Sequence, residues 1–117
     1  MIIPKSITVN GFVWQVQFDG PLTDESNVYG SAHYKSQTIY IDPKVPRQKQ
    51  EQTFLHELLH AVSWQSGLSK RMQQAKQTEL EEEIITALSF GLYQALNDNG
   101  LLLPDDVRSA DTEKETQ

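Results

Sequence analysis

The stretch His56-Glu57-Leu58-Leu59-His60 decides how the rest of this sequence is interpreted. Side chains four residues apart on an α-helix lie on one face, so His56 and His60 can reach one metal ion from the same side. Glu57 lies one position further round, where its carboxylate can accept a proton from a water beside the metal. This pattern is typical of zinc metallopeptidases. The competing interpretation is two histidines on an ordinary amphipathic helix.

The residues around this motif favour a helix that packs on a core. Pro46 suits a first helical turn and Gly67 suits the position after a last turn, so we expect a helix from Pro46 to about Gln65. Apolar residues recur within it at helical spacing and predict a buried stripe: Leu55, Leu58, Leu59 and Val62.

Upstream of the motif, short runs of alternating polarity predict three or four strands. Residues 7–9 and 12–18 flank Asn10-Gly11, which favours a type I′ hairpin turn. Residues 28–35 and 38–42 predict a second hairpin, and the polar stretch between the hairpins, residues 22–27, is expected to be a loop. We interpret Thr38–Ile41 as the edge strand along which an extended substrate would pair.

A second long helix is predicted downstream, from about Thr78 to Asn99-Gly100. Thr78 and Glu81 form a capping-box pattern at its start. An apolar stripe is expected to pack against the motif helix: Leu80, Ile84, Ala87, Leu88, Gly91, Leu92 and Ala95. Strands followed by two helices predict an α+β domain over residues 1–104, and the polar residues 105–117 are expected to form a disordered tail.

Composition narrows the class of protein. The 117 residues include no cysteine, so a zinc site would use histidine and carboxylate ligands, and disulfides are excluded. The net charge of −6 argues against a nucleic-acid-binding groove as the main function. No apolar run is long enough for a membrane span, and the first residues lack the apolar run of a signal peptide, so we expect a cytoplasmic protein.

Two histidines need a third protein ligand to form a catalytic zinc site. The second helix offers carboxylates in its first turns: Glu79, Glu81, Glu82 and Glu83. Glu83 borders the apolar stripe and is the first choice, Glu82 and Glu79 remain alternatives, and Glu81 is assigned to the cap. His33 is expected to point to solvent. Three tyrosines could donate to an oxyanion but are expected to be packing residues: Tyr34, Tyr40 and Tyr93.

With these motifs the sequence resembles small zincins of the gluzincin type. More narrowly, it resembles small phage and prophage proteins related to the ImmA/IrrE-type metallopeptidases. The resemblance is carried by Tyr29-Gly30, residues 38–42, residues 54–61 and residues 83–99. It implies a zincin-like fold, with a small antiparallel sheet of three to four strands on two long helices. It also implies a zinc endopeptidase with His56, His60 and Glu83 as ligands and Glu57 as the base.

The resemblance further implies a peptide or protein substrate, with the repressor of a mobile element as one candidate. From the sequence we expect no fused DNA-binding or sensor domain, which departs from the family pattern and weakens the expectation of a repressor substrate. The alternative from another class is a zinc-stabilised binding or regulatory protein without turnover. A weaker alternative is a protease acting on DNA-bound proteins, as SprT-like proteins do, which the acidic charge disfavours.

Overall fold

The computed structural model describes residues 1–102, and this range contains four strands and four helices. In chain order they are β1 Ser6–Val9, β2 Phe12–Phe18, α1 Gly20–Ser26, β3 Gly30–His33, β4 Thr38–Ile41, α2 Arg47–Gln65, α3 Leu68–Gln74 and α4 Thr78–Asp98. The predicted α+β class is confirmed. The expected polar tail, residues 105–117, lies outside the described residues.

The four strands form one mixed sheet in the order β1-β2-β4-β3. Both predicted hairpins are antiparallel pairs, but β2 and β4 pair in parallel, with Val16 opposite Ile39. The expectation of an antiparallel sheet is therefore wrong. Its cause is the connection through α1 and β3, which brings β4 back beside β2 in the same direction and leaves β3 at the edge.

Local turn chemistry explains the beginning of the sheet and one missed helix. Asn10 and Gly11 have positive φ values of 48° and 86°, as a type I′ turn requires, so the first hairpin is confirmed. The stretch expected to be a loop contains helix α1. Asp19 caps it by accepting a hydrogen bond from the backbone N–H of Leu22 at 3.0 Å, and Pro21 occupies its first turn.

The core lies between the sheet and one face of α2. Trp14, Ile39 and Ile41 are fully buried there, and Phe54 and Ala61 of α2 pack against them. Only part of the predicted motif-helix stripe is buried, because Val62 is exposed. The bounds of α2 match the prediction, including Gly67 in a left-handed conformation after its end.

Helix α4 has the predicted bounds but neither the predicted cap nor the predicted buried face. Gln77 is its N-cap residue and makes no capping side-chain bond, and Glu81 instead accepts a hydrogen bond from the Ser63 hydroxyl at 3.0 Å. The buried residues of α4 are Ile85 and Ser89. The expected apolar stripe is exposed along its whole length.

Strand β3 lies close against α2 at Gly30. A Cβ atom on Gly30 would come 2.5 Å from the methyl carbon of Thr53 and 2.7 Å from the backbone oxygen of Tyr40. The glycine therefore allows the sheet edge to approach the motif helix. Within residues 1–102, no helix combines the length and the apolar character needed to cross a bilayer.

Candidate metal centre

The two motif histidines lie on successive turns of α2 and face the same way. The ring centroids of His56 and His60 are 4.9 Å apart, and both side chains are largely buried beside an open cleft. Because α2 is regular across this stretch, its backbone fixes the spacing of the two imidazoles. The two rings therefore lie on one side of the helix, as predicted.

The carboxylate that meets these imidazoles belongs to Glu82 of α4. Its Oε1 lies 3.2 Å from Nε2 of His56, and its Oε2 lies 2.8 Å from Nε2 of His60. These three side chains offer ligand atoms that all lie within 4.8 Å of one another, so the group could hold a metal ion. Glu83, the first choice from sequence, is exposed and is not a member of this group, and Glu79 is exposed as well.

Glu83 does not meet the imidazoles because α4 faces α2 with a different side from the predicted one. The sequence predicts that α4 buries its most apolar stripe, which would bring Glu83 inward. The helix instead turns Ile85 and Ser89 towards α2, and Glu82 shares that face because it is three residues before Ile85. The polar residues on the part of α2 that faces α4 could have indicated the correct side, because Gln52 and the histidines need polar partners when they are buried.

The donor set of two imidazoles and one carboxylate suits zinc and other first-row metal ions. Zinc–nitrogen bonds of about 2.0–2.1 Å at tetrahedral angles place ligand atoms about 3.3 Å apart. The two Glu82 oxygens lie 3.2 and 2.8 Å from the imidazole nitrogens of His56 and His60, and one ligand atom from each of the three residues lies within 4.8 Å of the others. A set of two imidazoles and one carboxylate leaves one tetrahedral position for water or substrate.

Ser89 contacts the first imidazole on the side away from Glu82. Its hydroxyl donates to the backbone oxygen of Thr86 at 2.9 Å, and its oxygen accepts from Gln52 Nε2 at 3.4 Å and lies 3.4 Å from Nδ1 of His56. Nε2 of His56 faces Glu82 and the metal position, and a metal bound to Nε2 would require the ring proton to be on Nδ1, towards Ser89. By contrast, Nδ1 of His60 is buried and has no hydrogen-bond partner among residues 1–102.

Burial favours the neutral form of His56, which is the form that binds metals. The pKa of His56 is lowered first by burial and then by the neighbouring His60, while Glu82 acts in the opposite direction. A neutral imidazole keeps its lone pair for coordination. The local environment therefore lowers the competition between protons and a metal ion at this nitrogen.

Glu57 is a buried carboxylate beside the three candidate ligands. Its Oε2 lies 4.0 Å from Nε2 of His56, and its side chain is 10% exposed. Burial, followed by the negative charge of Glu82, raises the pKa of Glu57 from 4.5 to about 8. Such a strongly perturbed carboxyl group in a cleft is typical of a residue that exchanges protons.

The cleft in front of these residues has a volume of about 540 Å³ and is bounded by α2, α4 and the sheet edge. The edge strand beside it is β3, so the expectation that Thr38–Ile41 forms the edge is wrong; β4 lies between β2 and β3. Tyr34 also lines the cleft and stacks on Trp64, with ring centroids 4.4 Å apart.

The other residues singled out from sequence lie elsewhere. His33 is exposed, as predicted, and its ring contacts Tyr40. Tyr93 donates a hydrogen bond to Glu51 at 3.1 Å and is thereby occupied away from the cleft. Sequence reasoning missed Lys49, which lines the cleft with its ammonium group 4.4 Å from the centre of the Tyr29 ring.

No protein-family profile, curated protein or solved structure matches this chain. What the site can do is therefore inferred from its donor atoms, its buried carboxylate and its cleft. These features are compatible with a hydrolytic metal centre and with a metal site that only stabilises the fold. The two cases differ in their need for Glu57, because metal binding alone does not require it.

Proposed function

We propose that this chain is a zinc-dependent endopeptidase in which His56, His60 and Glu82 hold the metal and Glu57 is the general base. One observation carries the proposal: a fourth, buried carboxyl group lies beside three converging ligands without being one of them. A site that served only the fold would gain nothing from a buried acid whose ionisation is penalised by its surroundings.

A zinc ion bound at this site would polarise the scissile carbonyl and lower the pKa of a coordinated water towards 7. Glu57 accepts a proton from the attacking water and later delivers it to the leaving amine. The pKa of Glu57 is raised to about 8 in the metal-free protein, and a dication bound beside it would lower that pKa towards neutrality, which suits a group that both accepts and releases a proton. One side chain can therefore serve both proton transfers near neutral pH.

The edge strand of the sheet can bind an extended peptide as an additional strand. Strand β3 borders the cleft, and main-chain groups at a sheet edge can pair with an added strand. Tyr34 lines the same cleft, and its pKa is raised by burial and by nearby carboxylates, so its hydroxyl stays protonated and can donate to a developing oxyanion. A peptide or protein substrate fits these features, and the repressor of a mobile element remains one candidate.

The test compares Glu57→Gln with wild type in peptide hydrolysis and in bound zinc. We expect the variant to keep about one zinc per chain and to lose about 10²–10⁴-fold in rate, the usual contribution of a general acid–base group. Glu83→Gln is the matched control, because it removes the same charge from an exposed position outside the site. Zinc-dependent cleavage that is unchanged in Glu57→Gln would contradict the assigned role of Glu57.

The alternative is a zinc-stabilised binding protein without turnover. The exposure of Glu82, 54% for its side chain, favours it in one respect, because catalytic ligands are commonly more enclosed. If the chain is such a binding protein, zinc should raise its thermal unfolding temperature. Neither wild type nor Glu57→Gln should then cleave a peptide library or candidate repressors. Zinc-dependent cleavage by wild type alone supports the enzyme.

A further inference from the structure

Helix α4 presents a continuous apolar surface to solvent. It consists of Leu80, Ile84, Ala87, Leu88, Gly91, Leu92 and Ala95, all of them exposed, and is called the α4 apolar face. At 3.6 residues per turn these residues recur on one side of the helix, opposite the side that carries Glu82. Soluble proteins rarely leave a large contiguous apolar surface exposed. Where one occurs, it commonly marks an interaction site.

Gly91 lies near the middle of this face. A glycine inside a helix costs about 1 kcal/mol relative to alanine. A Cβ atom at Gly91 would meet nothing within 4 Å, so no neighbour in the described part of the chain requires the glycine. Small residues on an exposed helix face allow a second helix to approach closely.

We propose that the α4 apolar face binds the same face of a second copy, with the two helices antiparallel about a twofold axis. From Ile84 to Ala95 the centre of the face carries no charged side chain, while Glu83 and Gln94 lie at its border and Asp98 lies beyond its end, so the middle of the interface buries no unpaired charge. A twofold interface requires a surface that complements itself. A face that is apolar along its centre meets this requirement in its charge pattern.

The order of large and small residues along α4 also makes the face complementary to itself in shape. In the antiparallel register that sets Leu88 against Gly91 of the second copy, Ile84 is set against Ala95 of the second copy. The symmetry repeats both contacts, so four large side chains each meet a small residue. Glu82 lies on the far side of α4, so both clefts stay open in this dimer and the proposal is independent of the proposed function.

The size of the face sets the expected strength of association. The stretch from residue 80 to 95 is about 24 Å long at 1.5 Å per residue. One helix face of this length buries less than the roughly 800 Å² per partner of a standard interface. We therefore expect a reversible dimer with a dissociation constant in the micromolar range, not a permanent one.

Sedimentation measurements on the full chain between about 1 and 200 µM test the proposal. Wild type should change from monomer to dimer across this range, and Leu88→Glu should remain monomeric. Val13→Glu is the matched control, because Val13 on β2 is 55% exposed and Leu88 is 57% exposed. The control should dimerise like wild type. Equal dimerisation of Leu88→Glu and wild type would overturn the proposal.

Two further variants test the register. Gly91→Leu should raise the stability of the dilute monomer through helix propensity while abolishing the dimer, which no folding defect would do. Adding Leu88→Ala to Gly91→Leu exchanges the large and small positions and should restore association, and failure to restore it refutes the register. A monomeric wild type that dimerises only when shortened to Leu102 would show that the chain's own C-terminal segment covers the face, which also refutes the proposal.

Discussion

Replacing Glu82 by glutamine should weaken zinc binding far more than the same replacement at Glu83. The two glutamates are neighbours on α4, both are exposed, and both substitutions remove one negative charge. They differ in direction: the Glu82 oxygens lie 3.2 and 2.8 Å from the imidazole nitrogens of His56 and His60, whereas Glu83 belongs to no ligand group in residues 1–102. The comparison therefore isolates geometry from charge.

The expected loss is about 100- to 1,000-fold in the dissociation constant, or roughly 3–4 kcal/mol at 1.4 kcal/mol per tenfold change. Loss of a group that only orients a metal ligand typically lowers metal affinity about 10–100-fold. Glu82 is placed as a ligand itself, so its loss should lower the affinity more. Its carboxylate is 54% exposed, so solvent screens part of its attraction for the cation, and we do not expect the larger losses of a fully buried ligand.

Competition titration against a chromophoric zinc chelator at neutral pH measures this difference directly. Glu83→Gln should bind zinc within about threefold of wild type, since the effect of one screened surface charge is small. If Glu83→Gln lost as much affinity as Glu82→Gln, or if Glu82→Gln bound like wild type, the assignment of the third ligand would be wrong.

Four further outcomes follow from the structure. In the metal-free protein the free energy of unfolding should fall by up to about 1.4 kcal/mol per pH unit between pH 4.5 and about 8, because the folded state retains the Glu57 proton that the unfolded chain releases. Urea titrations across this range should lose that slope in Glu57→Gln. Gly30→Ala should destabilise by about 2–3 kcal/mol, because its Cβ would lie 2.5 Å from Thr53, whereas Gly91→Ala in dilute solution should stabilise by up to about 1 kcal/mol. Ser89→Ala should raise the zinc dissociation constant about tenfold in the chelator titration, since it frees the first motif imidazole to rotate.

Features that depend on residues close in sequence were predictable. The Asn10-Gly11 turn, the bounds of α2 and the spacing of His56 and His60 follow from turn chemistry and from the helical repeat. These are local properties of the backbone. They are sufficient to place the first two candidate ligands and the candidate base, because all three residues lie on one helix.

Features that depend on how elements pack were not predictable in the same way. The parallel pairing of β2 with β4 is set by a long connection, and no residue in either strand signals it. The choice of Glu82 over Glu83 depends on which side of α4 faces α2. Hydrophobicity pointed to the wrong side, because that contact is built from polar groups: Ser89 meets Gln52, and Tyr93 meets Glu51.

The central claim is that three side chains from two helices share one cation. X-ray diffraction from zinc-loaded crystals, with anomalous data collected at the zinc absorption edge, tests it most directly. The expected result is a single anomalous peak about 2.0–2.2 Å from Nε2 of His56, Nε2 of His60 and one oxygen of Glu82, with a solvent molecule completing the coordination. A peak bound by Glu83 in place of Glu82, or no peak between the two imidazoles, would contradict the account.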